Sequence, residues 1–293
     1  PEGAAFAVFR ISLINSILGT SFVKALTENR FSIPSFIFII LLSNNVASYI
    51  IYNKQDKGAI QMIGDMQSWT PNVAGIIEHA KKVHPKTEII SRLVSGEIHR
   101  SNYEEVCIRS RKLASVLIKD GYKEGDVLAT LALNTYRHLE MYYGISGMGA
   151  ITHTLNFRLH PEQAVYIINH AEDKIIFVET PFIPILEAIQ DQIPTVEKFI
   201  VLCEENELPE TSLKNAISYE EYIKDGDENY TWPTLKDDAA CGLCYTSGTT
   251  GNPKGVLYSH KSNVIHAQAA LTCLLYTSPS PRDQRGSRMP ASG

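Results

Sequence analysis

The sequence predicts an α/β fold, with a mostly parallel sheet that helices cover on both faces. Segments with apolar residues at helical spacing alternate along the chain with short runs rich in β-branched residues, an order typical of parallel sheets. The runs are apolar at nearly every position, as in strands that are buried on both sides. The composition, 44% hydrophobic and 20% charged, fits a globular protein of one or two domains. A net charge of −5 disfavours nucleic-acid binding, which needs a basic surface.

The first predicted elements are two helices separated by a hairpin. Residues 73–83 have apolar side chains at helical spacing. Two β-rich runs, 88–94 and 97–100, flank a Ser-Gly pair and predict a hairpin. A second helical face spans residues 103–117, and Gly121 is its predicted C-terminal cap.

The later elements alternate between strand and helix. Strands are predicted at 127–133, 174–179 and 198–203. Helices are predicted at 137–147, around 184–190, and from Pro161, in a first turn, to about His170. The acidic segment 204–238 is predicted to be a loop region on the surface.

Residues 245–255 carry the pattern that is most informative about function. They read Tyr-Thr-Ser-Gly-Thr-Thr-Gly-Asn-Pro-Lys-Gly, with three glycines, one lysine and four hydroxyl side chains after the tyrosine. Glycine lets the backbone approach a ligand closely, while hydroxyls, free amides and a lysine bind phosphate oxygens. Apolar runs on either side predict that the segment joins two strands. The candidate phosphate-binding residues are Thr246, Ser247, Gly248, Thr249, Thr250, Gly251 and Lys254.

The spacing in this segment excludes two common nucleotide-binding loops. A Walker-type loop reads Gly-x-x-x-x-Gly-Lys-Ser/Thr, whereas Gly248 and Gly251 are too close together and Gly255 follows Lys254. The Gly-x-Gly-x-x-Gly dinucleotide spacing is also absent. The alternative to a phosphate-binding loop is a flexible Gly/Ser/Thr linker. The Pro-Lys-Gly sequence, followed directly by apolar strand residues, disfavours a linker.

The segment resembles the signature loop of the adenylate-forming (AMP-binding) superfamily, which includes acyl-CoA synthetases, luciferases and peptide-synthetase adenylation domains. Further blocks extend the resemblance: residues 125–131, 147–156, 166–173 and 258–260. Together they look like the medium- and long-chain fatty acyl-CoA synthetases, from about Met62 to about Thr272. An aryl- or amino-acid-adenylating enzyme of the same superfamily is the alternative, and the upstream blocks disfavour it.

The resemblance implies an ATP-dependent ligase that works in two half-reactions. A fatty-acid carboxylate attacks the α-phosphate of ATP to give an acyl-adenylate and pyrophosphate, and the thiol of coenzyme A then displaces AMP. The loop is implied to hold the β- and γ-phosphates, Thr246 to bind Mg²⁺, and Lys254 to be the catalytic cation. For His260, a role near the loop and a purely structural role both remain open.

The resemblance divides the chain into three parts. Residues 62–272 are the N-terminal part of the adenylation domain. Residues 1–61 show no match and are interpreted as translated upstream DNA, with a membrane-associated extension as the alternative. Residues 273–293 resemble a translated sequencing adapter and are expected to be disordered, with a native tail as the alternative. Because later family motifs are absent, the chain is expected to be a fragment that is inactive alone; a non-catalytic nucleotide-binding half-domain is a further alternative.

The expected partners are a fatty acid, ATP and coenzyme A, with Mg²⁺ as the metal. Five cysteines, an odd number, favour a reducing compartment, and the predicted location is cytoplasmic. Cys241 and Cys244 form a CxxC, interpreted as small strand residues rather than a zinc or redox site. The resemblance leaves a homodimer open, and membrane association depends on residues 1–61. Three histidines within helix or strand patterns are interpreted as structural: His138, His153 and His170.

Overall fold

The computed structural model describes residues 70–246 and 252–272, so the predictions for residues 1–61 and 273–293 lie outside the described residues. The strands are β1 (Glu88–Arg92), β2 (Ile98–Asn102), β3 (Val127–Leu131), β4 (Ile151–Thr154), β5 (Ile175–Val178), β6 (Lys198–Val201), β7 (Ala216–Ser218), β8 (Ala240–Thr246) and β9 (Lys254–Ser259). The helices are α1 (Val73–Val83), α2 (Tyr103–Lys119), α3 (Tyr136–Gly147), α4 (Pro161–Ala171), α5 (Ile183–Glu187), α6 (Tyr219–Ile223) and α7 (His260–Ala270). Among these described helices, none has the length and apolar character needed to cross a bilayer.

The strands form two sheets. β1 and β2 are the predicted antiparallel hairpin, and the larger sheet has the order β7-β6-β5-β3-β4-β8-β9. Its pairs from β7 to β8 are parallel, and β9 runs antiparallel to β8. The predicted mostly parallel sheet is therefore confirmed. β3, β5 and β6 occupy the three predicted runs, each two residues shorter than predicted.

Helices cover both faces of the larger sheet, as predicted. Since successive residues of a strand point to opposite faces, Leu128 and Ala129 of β3 belong to different hydrophobic cores. One core lies against α2, α3 and α6, and the other lies against α4 and α5. The chain moves from β3 to β4 in one direction along the sheet and from β5 to β6 in the other. Right-handed crossovers then put α3 and α5 on opposite faces.

Local sequence fixes the ends of the first two helices. Asn72 precedes α1 and its side-chain oxygen accepts from the Gly75 amide at 2.7 Å. Asn102 precedes α2 and accepts from the Glu105 amide at 3.0 Å. Both are N-caps of the usual kind. Gly121 follows α2 with φ +94°, the left-handed conformation that its predicted capping role requires.

The prediction of a surface loop for residues 204–238 is wrong in the central part of that segment. The segment contains β7 and α6, and Tyr219 is fully buried. Trp232 also docks onto the helices, where its Nε1 donates to Glu78 Oε1 at 2.6 Å. A Cβ added at Gly147 would lie only 2.6 Å from the Trp232 ring, so the glycine makes room for the indole. These contacts join residues far apart in the sequence, which local acidic composition does not reveal.

A buried ion network ties α2, α3 and α6 together. Glu140 of α3 is fully buried and accepts from Arg109 Nε at 2.7 Å and from the Tyr219 hydroxyl at 3.0 Å. Arg109 also donates to both carboxylate oxygens of Glu220, each at 2.9 Å. Burial raises the pKa of Glu140 to about 7, and Arg109 acts in the opposite direction. The position of α3 therefore depends on the buried Glu140 carboxylate, whose desolvation cost is offset by Arg109 and Tyr219.

β9 forms an edge of the larger sheet. In the part of the chain that the structure describes, it pairs only with β8. Residues 254–258 are all exposed. Three of them are apolar or aromatic: Val256 is 38% exposed, Leu257 59% and Tyr258 42%.

We expect Arg109→Leu to lower the free energy of unfolding by about 3 kcal/mol, because it leaves Glu140 buried without its cation. Urea unfolding followed by circular dichroism measures the loss. Arg100→Leu is the matched control, since Arg100 pairs with Glu88 at an exposed position and should cost less than about 1 kcal/mol. Equal losses in the two variants would contradict the importance of the buried network.

Candidate functional site

Strands β8 and β9 hold the two ends of the glycine-rich segment. β8 is parallel to β4, and β9 returns antiparallel to β8, with Thr246 opposite Lys254 in the register. The Thr246 hydroxyl donates to the Lys254 carbonyl oxygen at 3.4 Å. The prediction that the segment joins two strands is therefore confirmed. The segment leaves the sheet at the carboxyl end of a parallel strand, the edge at which α/β proteins commonly bind ligands.

Two of the candidate phosphate-binding residues lie within the described residues. Thr246 and Lys254 are both exposed, so their hydroxyl and ammonium groups are accessible to an anion from solution. A hydroxyl and a cation that flank one short segment suit a phosphate chain, because phosphate oxygens accept strong charge-assisted hydrogen bonds. The other candidates lie outside the described residues: Ser247, Gly248, Thr249, Thr250 and Gly251.

Thr246 offers one oxygen ligand to a magnesium ion. Within residues 70–246 and 252–272, no group of three or more His, Cys, Asp or Glu side chains is placed to hold a metal. Mg²⁺ commonly takes few ligands from the protein and the remainder from water and substrate phosphates. The exposed Thr246 hydroxyl has the chemistry of one ligand to an ion of this kind.

Tyr245 directly precedes the candidate site, and the sequence did not identify it as a functional residue. Its ring lies over Gly255, its partner across the hairpin, where an added Cβ would be 3.2 Å from Tyr245 Cζ. Its hydroxyl shares a hydrogen bond of 2.6 Å with His170 Nδ1, in the last turn of α4. The absence of a side chain at Gly255 therefore lets the ring pack against both strands.

A buried histidine–aspartate pair lies beside Tyr245. His153 of β4 and Asp173 are fully buried, and His153 Nδ1 donates to the two carboxylate oxygens at 2.8 and 3.0 Å. Burial raises the pKa of Asp173 to about 6, while the bond to His153 lowers it. The ring centres of His153 and Tyr245 are 5.1 Å apart. Two histidines that the sequence led us to interpret as structural, His153 and His170, thus both contact Tyr245, the residue before Thr246.

His260 begins α7 and has the contacts of a structural residue. It is fully buried, and its Nδ1 accepts from the Val73 amide at 3.2 Å, at the first residue of α1. Burial lowers the pKa of His260, which favours the neutral ring that this bond requires. The preceding Ser259 caps α7 by accepting from the Ser262 amide at 3.1 Å. Of the two roles left open by the sequence, these contacts support the structural one.

Two other sequence features have structural contacts. Cys241 and Cys244 both lie in β8 as free thiols, consistent with the interpretation as strand residues. Asn263 Nδ2 donates to Cys241 Sγ at 3.0 Å, whereas Cys244 Sγ bonds to the Thr154 hydroxyl at 3.2 Å. His138 is held by the Leu133 carbonyl and the Thr130 hydroxyl, which agrees with its structural interpretation.

Two clefts among the described residues have no residue of β8 or β9 in their lining. One, of about 360 Å³, lies between β1 and the start of α3. The other, of about 320 Å³, lies between β2 and α2. Neither is lined by Thr246 or Lys254. The candidate site is therefore identified by its place on the sheet edge and by its side chains, and not by a cavity.

Comparisons with known proteins identify the family to which the sequence is similar. Residues 77–288 match the family model of AMP-binding enzymes. The chain is 46% identical over 206 residues to the medium-chain-fatty-acid–CoA ligase of Ectopseudomonas oleovorans, covering 70% of this chain and 38% of that protein. It is 43% identical over 199 residues to the long-chain-fatty-acid–CoA ligase of Thermus thermophilus, covering 68% and 35%. The chain thus spans little more than a third of the length of these relatives.

Solved structures show the same fold. The crystal structure of the anthranilate CoA ligase AuaEII in complex with anthranoyl-AMP aligns with a TM-score of 0.61 at 24% identity, over 69% of this chain and 37% of that one. A long-chain-fatty-acid–CoA ligase from Archaeoglobus fulgidus aligns with a TM-score of 0.59 at 20% identity, over 70% and 40%. At these identities the likeness concerns the fold.

The buried neutral His260 is expected to contribute a loss of stability in mild acid. Glu140 and Asp173, whose carboxyl pKa values burial raises, contribute in the opposite direction, so the His260 contribution is read from the difference between the wild type and a His260 variant. The pKa of His260 is lowered in the folded state, so the unfolded chain takes up the proton first as the pH falls below about 6.5. This contribution is fully present above that pH and is lost below it, by up to about 1.4 kcal/mol per pH unit. Urea unfolding between pH 7 and pH 5 measures the slope.

His260→Asn keeps an acceptor near the Val73 amide and does not titrate, so its stability should fall less steeply than that of the wild type. Val264→Ala is the control, because it removes buried carbon from the same helix without a titrating group. It should be less stable at every pH while keeping the wild-type slope. A wild-type slope in His260→Asn would contradict the assignment.

Proposed function

The chain belongs to the AMP-binding enzyme family, and we propose that it is part of an ATP-dependent fatty acid–CoA ligase. The proposed reaction joins a fatty-acid carboxylate to the α-phosphate of ATP, with release of pyrophosphate. The acyl group then passes to the thiol of coenzyme A, and AMP leaves. Fatty acids are the proposed substrate class because relatives named for medium- and long-chain acids share 43–46% identity with this chain.

The observation that carries this proposal is the placement of Thr246 and Lys254. They face each other across the base of a hairpin whose connecting segment consists largely of glycine and hydroxyl residues. Strand pairing fixes the backbone of Thr246 and Lys254, the two ends of that segment, at one point of the sheet edge. Glycine amides and hydroxyl side chains, which make up most of its sequence, are groups that bind phosphate oxygens. Such an arrangement suits the β- and γ-phosphates of a nucleotide.

Charge is the main physical obstacle in the first half-reaction. A carboxylate must approach a nucleotide that already carries several negative charges, and pyrophosphate must leave with more. Lys254 is exposed beside the segment, and its ammonium group supplies positive charge where the departing phosphates are proposed to lie. We assign to the amides and hydroxyls of the segment's sequence the hydrogen bonds to the same phosphates.

Mg²⁺ is the proposed metal, with the Thr246 hydroxyl as one ligand. When bound, the ion neutralises phosphate charge and helps to orient the leaving group. Thr246 is suited to this role because it is exposed and fixed by its pairing with Lys254. We also propose a cytoplasmic location, which the four free thiols of the described residues support: Cys107, Cys203, Cys241 and Cys244.

Fatty-acid-dependent exchange of labelled pyrophosphate into ATP tests this function in the full-length ligase expressed from its intact reading frame. Lys254→Gln and Thr246→Ala should each lower the exchange rate by about 100-fold, the scale of losing one transition-state contact. Lys214→Gln is the control, since Lys214 pairs with Asp191 on an exposed surface. Wild-type exchange in the first two variants would contradict the assignment of these residues.

A further inference from the structure

We propose that Tyr245, His170 and His153 form a positioning group that fixes the start of the phosphate-binding segment. The inference rests on the proposed function and adds residues to it that do not touch the nucleotide. The group, here called the Tyr245 clamp, connects a helix end and a buried strand to the residue immediately before Thr246. Its effect is to hold Thr246, the last residue of β8, in one orientation.

Tyr245 occupies the point at which β8 ends and the segment begins. Its backbone is paired with Gly255, and its ring covers that glycine closely enough that an added Cβ would lie 3.2 Å from Cζ. The ring therefore packs against the incoming and outgoing strands together. No side chain at position 255 separates the ring from the backbone of β9.

His170 fixes the outer end of the Tyr245 side chain. The hydroxyl and the imidazole Nδ1 are 2.6 Å apart, and the rings meet edge-on with centres 5.8 Å apart. The imidazole is itself stacked on Tyr166, one turn earlier in α4, at 5.4 Å. The hydroxyl is thus tied to a side chain whose orientation the helix sets. His170 is exposed, so water competes for this bond and its strength lies at the lower end of the usual range.

His153 forms the inner side of the clamp. The two bonds from its Nδ1 to Asp173 fix the plane of its ring, and both residues are fully buried. The Tyr245 ring lies against this fixed surface with centres 5.1 Å apart, at an angle of 45°. Asp173 follows α4, whose last turn carries His170, and its amide is bonded to the Ile168 carbonyl at 3.2 Å. One helix end therefore positions both sides of the clamp.

A clamp of this kind affects phosphate binding more than it affects folding. Catalytic groups lose much of their effect when displaced by about 1 Å, whereas one exposed hydrogen bond contributes little to global stability. A tyrosine that served only the fold would show the opposite behaviour. A positioning role therefore predicts a change in KM for ATP with little change in stability, whereas a purely structural role predicts a change in stability with little change in KM for ATP.

Tyr245→Phe in the full-length ligase removes the hydroxyl and keeps the ring. We expect KM for ATP to rise by about three- to fivefold, the effect of one modest hydrogen bond. KM for coenzyme A and the melting temperature should stay at their wild-type values. His170→Leu should reproduce this change, and His170→Asn, which retains a polar group near the Nδ1 position, should restore part of the wild-type KM.

A double-mutant cycle tests whether the two residues act through one bond. The variant with both Tyr245→Phe and His170→Leu should be no worse than either single variant, because each removes the same interaction. Tyr222→Phe is the matched control: it removes a tyrosine hydroxyl bonded to Asp120 at 2.9 Å, distant from the hairpin. It should leave KM for ATP unchanged. Additive effects in the cycle, or an unchanged KM in Tyr245→Phe, would overturn the proposal.

A second measurement separates this inference from the proposed function. Calorimetric titration of the present chain with tripolyphosphate needs no catalysis. If the wild-type ligase shows no pyrophosphate exchange, the proposed function fails, and the clamp is then judged on this titration alone. Weaker tripolyphosphate binding in Tyr245→Phe, with Tyr222→Phe unaffected, supports the clamp, and equal binding in all three overturns it.

Discussion

Parallel pairing between β4 and β8 is the constraint on which the candidate site depends. It places Gly242 beside Thr152 and Leu243 beside His153, although the two strands are far apart in the sequence. Within the described residues β9 pairs only with β8, so the hairpin takes its orientation from this one junction. The chain reaches β8 only after it has added β5, β6 and β7 on the other side of β3. The hairpin that carries Thr246 and Lys254 is local, but its position and orientation are properties of the assembled sheet.

The helix layer contributes to the same junction. α3 ends one tight turn before β4, with Gly149 at φ +100°, so the position of the helix limits the position of the strand. The Ser146 hydroxyl also donates to the Cys241 carbonyl oxygen at 2.8 Å, a buried bond from α3 directly to β8. Glu140 lies on this helix and depends on Arg109 for its charge balance. The Arg109–Glu140 ion pair helps to position α3, and α3 in turn contacts β8 through Ser146. The ion pair therefore contributes to the position of β8, at whose end the glycine-rich segment begins.

The features predicted from sequence are those with a local signal. The parallel sheet, the hairpin, the Gly121 cap and the strands around the glycine-rich segment follow from periodicity, turn residues and spacing. The clamp does not, because Tyr245 meets His153 and His170 only through the fold. The helix within the acidic segment was missed for the same reason, since Tyr219 finds its partner 79 residues away. Gly255 belongs to the motif that the sequence identified, but its packing role is seen only in the structure, where the Tyr245 ring lies against it.

The exposed strand β9 has a consequence for handling this protein. An unpaired strand edge offers backbone donors and acceptors to any extended segment, and apolar side chains favour such an addition. β9 presents three exposed apolar or aromatic side chains, and Lys254 is the one charged residue in its sequence. Charged side chains on edge strands, lysine above all, discourage edge-to-edge self-association. The cation proposed to face the phosphates is therefore also the one charged side chain of β9 that would oppose pairing of this edge with another strand.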